Sequence, residues 1–177
     1  MSEADRLRDE GLRLFEEGAH GDAIQHFEQA RELFAGEGRT VEATEMLNNI
    51  GVVHRVCGRV DQAAGALEQA REIFAQAGDR EREAQALGNL GGLYSRQDRL
   101  DDAIGAYERA IAIFGGIHDH QREGETQMAL GTMLFKRGRR AEGLAAYEAG
   151  LMVLDHPTGR QRRLRRLLRL FRSLIGG

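Results

Sequence analysis

The sequence holds one cysteine, one proline, one lysine and no tryptophan in 177 residues. The lone Cys57 excludes an internal disulfide framework and any multi-cysteine metal site. Three tyrosines and seven phenylalanines are too few aromatics for an all-β sandwich or barrel. One proline among 41% apolar and 30% charged residues reads as an ordered, soluble, helical chain. No apolar run approaches the ~20 residues of a membrane span. The first ten residues carry too many charges for a signal peptide. Lys136 stands beside 24 arginines, a bias that a GC-rich genome explains as readily as a function. These features lead one to expect a cytoplasmic, all-α domain.

Acidic residues are missing from one stretch. Between His156 and Gly177 there is no Asp or Glu but there are seven arginines, so the first 155 residues carry −10 and the tail +7.

Glycine is abundant, 23 residues at nearly double the ~7% norm, and it falls at regular positions. Shifting the chain by 40 residues superimposes it on itself: Gly11, Gly51, Gly91 and Gly131 share a column, as do Glu28, Glu68, Glu108 and Glu148. Ala23, Ala63 and Ala103 give way to Gly143, and Ala30, Ala70 and Ala110 to Gly150. Large columns read Phe27, Leu67, Tyr107, Tyr147 and Phe34, Phe74, Phe114, Leu154. Each of the four repeats reads as two helices, with apolar residues at three- and four-residue spacing. Gly18, Gly58, Asp98 and Gly138 punctuate the turns, and Gly36 with Gly38, Gly78-Asp79 and Gly115-Gly116 separate one repeat from the next. A glycine inside a helix costs roughly 1 kcal/mol relative to Ala. Keeping it at one column implies that helix backbones approach closely there. Nine helices are predicted, near 3–17, 20–35, 40–57, 60–76, 80–97, 100–115, 120–137, 140–154 and 159–175.

These columns resemble the tetratricopeptide repeat family, best in the third repeat with Leu87, Leu90-Gly91, Tyr94, Ala103, Tyr107 and Ala110. The period is 40 rather than 34, and the usual closing proline is replaced by Ala35, Ala75, Gly115 and Asp155. The longer period is similar to the subgroup of kinesin light chains, Leu-Gly-Asn-type adaptors and many bacterial regulators. The resemblance implies a right-handed α-solenoid of four helix pairs over residues 1–156, closed by a capping helix within 157–177. It also implies a concave groove, lined by the first helices, that binds a peptide or helix of another protein. Carried onto this chain, the groove columns include Arg8/Asn48/Gly88/Met128, Asp9/Asn49/Asn89/Ala129 and Leu12/Val52/Gly92/Thr132. They continue with Phe15/Arg55/Ser95/Phe135 and Glu16/Val56/Arg96/Lys136. In that subgroup an Asn at the Asn49/Asn89 column holds a peptide main chain. The candidate peptide-binding residues are therefore Asn48, Asn49, Asn89, Val52, Arg55, Arg96 and Lys136. Leu12, Gln85 and Asn89 break the carboxylate clamp of heat-shock co-chaperones, so chaperone tails are not expected as ligands.

Bland readings stand beside these. Asn49 and Asn89 also suit solvated helix positions, and Arg55, Arg96 and Lys136 suit plain surface charge. Phe15 and Phe135 fit core or groove equally. His118-Asp119-His120 reads as a loop rather than a metal site. Cys57 is expected to be a small buried thiol. The repeated Glu column argues for a solvent-facing or inter-repeat role. No Ser/His/Asp, phosphate-loop or zinc spacing is present, so neither an enzyme nor a cofactor is expected.

In the tail, Leu164, Leu167, Leu168 and Phe171 begin one helical stripe. They are expected to pack on the fourth repeat as a cap. Arg162, Arg163, Arg166 and Arg169 form the opposite, basic face, available to an acidic protein or an anionic membrane surface. Nucleic acid is not expected, because the −10 remainder repels phosphate. Two functions follow: an adaptor or scaffold working through the groove, or a recruiter targeted by the basic helix to an anionic membrane surface or partner. The oligomeric state stays open.

Overall fold

The structure is a computed structural model that describes the backbone of residues 1–175 and the side chains of residues 1–168. Among the described residues there are nine helices and no strand. They are α1 (Glu3–Glu16), α2 (His20–Gly36), α3 (Thr40–Val56), α4 (Val60–Ala77), α5 (Arg80–Arg96), α6 (Leu100–Gly116), α7 (His120–Lys136), α8 (Arg140–Val153) and α9 (Gly159–Ile175). The all-α class and the consecutive packing of helix pairs are those that the repeat pattern predicts. The chain divides into two lobes, residues 1–106 and 107–177, with the boundary inside α6.

Helices begin every twenty residues from His20 to Arg140, and the turns between them keep that beat. A residue in the left-handed region stands at 18, 58, 98 and 138 and again at 38, 78 and 118. Five of these are glycine, while Asp98 and His118 adopt φ of 61° and 60°. The separator expected at Gly115-Gly116 is therefore displaced. Both glycines lie inside α6, and His118 makes the turn because the twenty-residue register places the reversal there.

The start of α1 is fastened by a reciprocal cap. The Ser2 hydroxyl accepts from the Asp5 amide at 3.2 Å, and the Asp5 carboxylate accepts from the Ser2 amide at 2.9 Å. The Ser2 backbone N–H, then the Ser2 hydroxyl, and further the Arg39 guanidinium hold the Asp5 carboxyl down from 3.8 to about 2. A lowered folded value means that this fastening is complete above the unfolded value near 3.8 and is lost as pH falls through about 2. Amide exchange in the first turn of α1 should accelerate over that window. In Ser2→Ala, Asp5 should titrate closer to 3.8. An Asp5 carboxyl titrating near 3.8 in the unaltered chain, followed by NMR, would contradict this.

In the first lobe the core follows the columns. Ala4, Ala23, Phe27, Ala30, Phe34, Met46, Ile50 and Val53 form one buried cluster, with Leu7, Leu14 and Phe15 packed against it. Phe15 is thus a core residue. Leu47, Ala70, Phe74 and Ala86 form a second cluster. The glycine column seats the large residue of the paired helix. A Cβ on Gly11 would stand 2.7 Å from the Phe27 ring, and one on Gly51 2.8 Å from Leu67 Cγ. From the Glu column, Glu68 of α4 ties its repeat to the next, accepting from the Tyr94 hydroxyl of α5 at 2.7 Å. Burial first, then the Glu68 carboxylate, pushes the phenol up to about 12.

In the second lobe α7 and α8 approach more closely still. A Cβ on Gly131 would meet the Tyr147 amide nitrogen at 2.5 Å and the Gly143 carbonyl oxygen at 2.6 Å. One on Gly124 would meet the Gly150 carbonyl oxygen at 2.6 Å. Four glycines therefore let two backbones touch. Phe135, at 46% exposed, is not part of the core.

In the tail the residues expected to pack on the fourth repeat differ from one another. Leu167 is 63% exposed, contrary to that expectation, and Leu164 is 37% exposed. The described part of α9 is held by a polar edge instead. Arg165 donates from Nε (2.9 Å) and Nη2 (2.5 Å) to the Leu151 carbonyl and from Nη2 to that of Leu154 at 2.8 Å. These carbonyls end α8 and have no partner of their own in its ladder, so a guanidinium satisfies them well. Leu168 is half-buried, and the side chains of Arg169 and Phe171 lie outside the described residues.

Candidate functional site

Helices α3 and α5 run side by side, joined at three levels. Arg82 of α5 pairs with Glu45 of α3 at 3.2 Å, Asn89 Nδ2 donates to Asn48 Oδ1 at 3.3 Å, and Arg96 Nη1 donates to the Arg55 carbonyl at 3.2 Å. Each bond links the first helix of one repeat to the first helix of the next. Asp79 caps α5, its carboxylate accepting from the Arg82 amide at 3.0 Å, and on α3 the Thr44 hydroxyl donates back to the Thr40 carbonyl at 2.7 Å.

On α3 the residues Asn49, Val52 and Val56 fall at helical spacing on one face. Asn49 and Val52 are half-buried and Val56 is 43% exposed. On α5 the matching stripe is Asn89, Gly92 and Arg96, the first two half-buried and the last exposed. Missing a side chain, Gly92 leaves a low point between a carboxamide and a guanidinium. This face carries donors and acceptors at one end, apolar contact in the middle and positive charge at the other end.

The structure thus brings together Asn48, Asn49, Val52 and Arg55 on α3 with Asn89 and Arg96 on α5. It assigns them unequal parts. Asn48 is buried and spends its oxygen on Asn89, so only part of the hydrogen-bonding capacity of Asn89 faces outward. Asn49 keeps its column position without that bond. Lys136 lies in the other lobe, exposed at the end of α7, where it borders an apolar cleft of about 310 Å³ lined chiefly by Thr132, Phe135, Leu144 and Tyr147.

Cys57 is exposed, contrary to the buried thiol expected, because it lies past the last turn of α3 as its C-terminal cap residue. His118 and His120 stack edge to face at 6.0 Å between ring centres, and His120 Nδ1 lies 3.1 Å from a Glu123 oxygen. Among the described residues no group of three or more His, Cys, Asp or Glu is placed to hold a metal ion. No described helix is long and apolar enough to cross a membrane.

Sequence reasoning alone misses a second cluster. At the corner between α8 and α9, Asp155, His156, Pro157, Arg162, Arg165 and Arg166 line an open cleft of about 520 Å³. The helical spacing puts Arg162 and Arg166 on a basic face. Nothing in that spacing marks His156 or Arg165 as their neighbours.

The geometry is that of a helical repeat protein with side-by-side first helices. The sequence profile of the tetratricopeptide repeat family matches residues 42–115, and that stretch is a tetratricopeptide repeat array. No curated protein matches the chain. Among solved structures, BtubC (BKLC) from P. vanneervenii is similar at 21% identity and a TM-score of 0.72, over 94% of this chain and 64% of that one. The Rap conjugation gene regulator of plasmid pLS20, in complex with the Phr* peptide, is similar at 20% identity and a TM-score of 0.76, over 86% of this chain and 42% of that one. The nearly identical TPR-like repeats assigned to a kinesin light chain of Podosopora anserina are 18% identical at a TM-score of 0.70, over 86% and 77%. At such identities the likeness is one of fold. The chain spans less than two thirds of the first two of these proteins.

Proposed function

We propose that the chain is a non-enzymatic adaptor that binds an extended peptide or helical segment of another protein across α3 and α5. The observation that carries this reading is the paired stripe Asn49–Val52–Val56 and Asn89–Gly92–Arg96 on two helices held in register by the Asn48–Asn89 bond. Repeat arrays bury apolar surface between neighbours and leave an extended face for a partner. Carboxamides hold a main chain without reading its side chains, the valines give apolar contact, and Arg96 selects an acidic residue at that end. A fold-level neighbour bound to a peptide supports the reading.

The Asn48–Asn89 bond changes which substitution tests it. Asn89→Ala would leave the buried Asn48 oxygen unpaired, which costs about 1–3 kcal/mol and confuses fold with binding. Asn49→Ala with Val52→Asp alters the face and leaves that bond in place. Peptides selected from a random library on the unaltered chain should lose roughly tenfold or more in affinity for this double variant, as expected for one lost hydrogen bond and a charge set in an apolar contact. Full affinity at normal helicity would remove the binding surface from α3 and α5.

A further inference from the structure

Most arginines outside the tail have a carboxylate. Arg8, Arg13, Arg39, Arg71, Arg80, Arg82, Arg99, Arg122 and Arg139 each pair with an Asp or Glu, in most cases three residues away. From His156 onward the sequence offers no acidic residue to do this. Among the described residues, no carboxylate lies within ion-pair distance of Arg162, Arg163 or Arg166.

Two of these arginines, Arg162 and Arg166, border the cleft at the α8–α9 corner, one helical turn apart. Arg165 borders it too, its guanidinium fixed by the Leu151 and Leu154 carbonyls, so the wall is held rather than mobile. His156 completes the rim, and its amide donates to the Gln121 side chain of α7 at 3.1 Å, which ties the corner to the repeat below. The first turn of α9 is already capped within itself. Thr158 Oγ1 accepts from the Gln161 amide at 3.3 Å, and Gln161 Oε1 accepts from the Thr158 amide at 2.7 Å. The positive character of the cleft therefore comes from side chains. Three guanidiniums against the single Asp155 carboxylate leave the lining cationic.

We propose that this corner is a binding site for a phosphate group, gripped by Arg162 and Arg166 with His156 as a further donor. Guanidiniums match phosphate oxygens in pairs, and a phosphate monoester brings three acceptor oxygens and nearly two negative charges to the two arginines, where a carboxylate brings two oxygens and one charge. The same phosphate chemistry is offered by a soluble phosphate ester and by a phospholipid headgroup. Leu164 and Leu167 stand exposed on the face of α9 away from these arginines, and in the second case they enter an acyl layer while the long arginine side chains reach back to the headgroups.

The test is titration of the full chain with inorganic phosphate, followed through the arginine Nε–H NMR signals. Saturable shifts of Arg162 and Arg166 are expected. Arg162→Ala/Arg166→Ala should weaken binding at least ~10-fold, as expected for loss of two charge-assisted contacts. Arg160→Ala/Arg163→Ala removes the same charge outside the cleft and should change binding by no more than about twofold, since exposed charge acts weakly through salt. Sedimentation with phosphatidylcholine vesicles, with and without phosphatidic acid, separates the sources. Capture by the phosphatidic acid vesicles that inorganic phosphate reverses, and that Leu164→Ser/Leu167→Ser lowers without altering phosphate binding, assigns the headgroup. Phosphate binding without vesicle capture assigns a soluble ester. Absence of saturable shifts in the unaltered chain, or equal weakening by the two arginine pairs, overturns the site.

Discussion

Gly131→Val is expected to unfold the α7–α8 pair. A Cβ there would stand 2.5 and 2.6 Å from backbone atoms of α8, where no rotamer change gives relief, so the helices must separate. The cost should reach about 3 kcal/mol or more, the upper end for overpacking. Separation also opens the matching contact at Gly124 and Gly150. By contrast, Gly65 of α4 has no atom within 4 Å of an added Cβ. Gly65→Ala should stabilise by about 0.5–1 kcal/mol, because the substitution fills no occupied space and removes backbone freedom from the unfolded chain. Thermal unfolding of the two variants should therefore move in opposite directions. A Gly131→Val protein that melts with the unaltered chain would refute the close approach.

The second large effect lies at Leu67, fully buried and seated over Gly51. Leu67→Ala should cost about 2–5 kcal/mol. Gly51→Ala alone should cost about 1–3 kcal/mol, since its Cβ would press on Leu67 Cγ at 2.8 Å. In the double variant, truncating the leucine vacates the space that the new methyl needs. The combined cost should fall short of the sum by about 1 kcal/mol or more, a coupling that contacting residues show and distant ones do not. Urea unfolding of the four proteins measures it. Strict additivity would mean that Gly51 does not exist to seat Leu67.

Both effects are legible in the sequence, because a backbone constraint repeated at one column leaves few residues able to satisfy it. Gly11 and Gly51 seat a large side chain of the paired helix and Gly131 admits that helix's backbone, and in each case only a missing side chain leaves room, so their period announces both helix pairing and contact face. The candidate site is legible only as a face. Asn48 and Asn49 are adjacent carboxamides, and which of them turns toward α5 depends on a few tens of degrees of helix rotation that no composition rule fixes. Asn48 takes the inter-helix bond. Cys57 departs from expectation for a related reason: its column ends a helix, where burial depends on the direction of the chain beyond. The tail shows its amphipathic stripe plainly. It does not show that Arg165 binds the end of α8 and leaves Leu167 outside, because that contact joins a side chain to carbonyls common to every residue.

The twenty-residue beat has a genetic consequence. Through the first three repeats the seat residues stay small: Ala4, Thr44 and Ala84; Gly11, Gly51 and Gly91; Ala23, Ala63 and Ala103. Unequal crossing-over that drops or adds 40 codons among them would set small residues against small ones again at these columns. The fourth repeat stands outside that exchange. Gly124, Gly131, Gly143 and Gly150 are fitted to one another across α7 and α8. A crossover inside it would bring an alanine helix against a glycine helix and either crowd the pair or leave it hollow. That repeat is inherited whole or not at all.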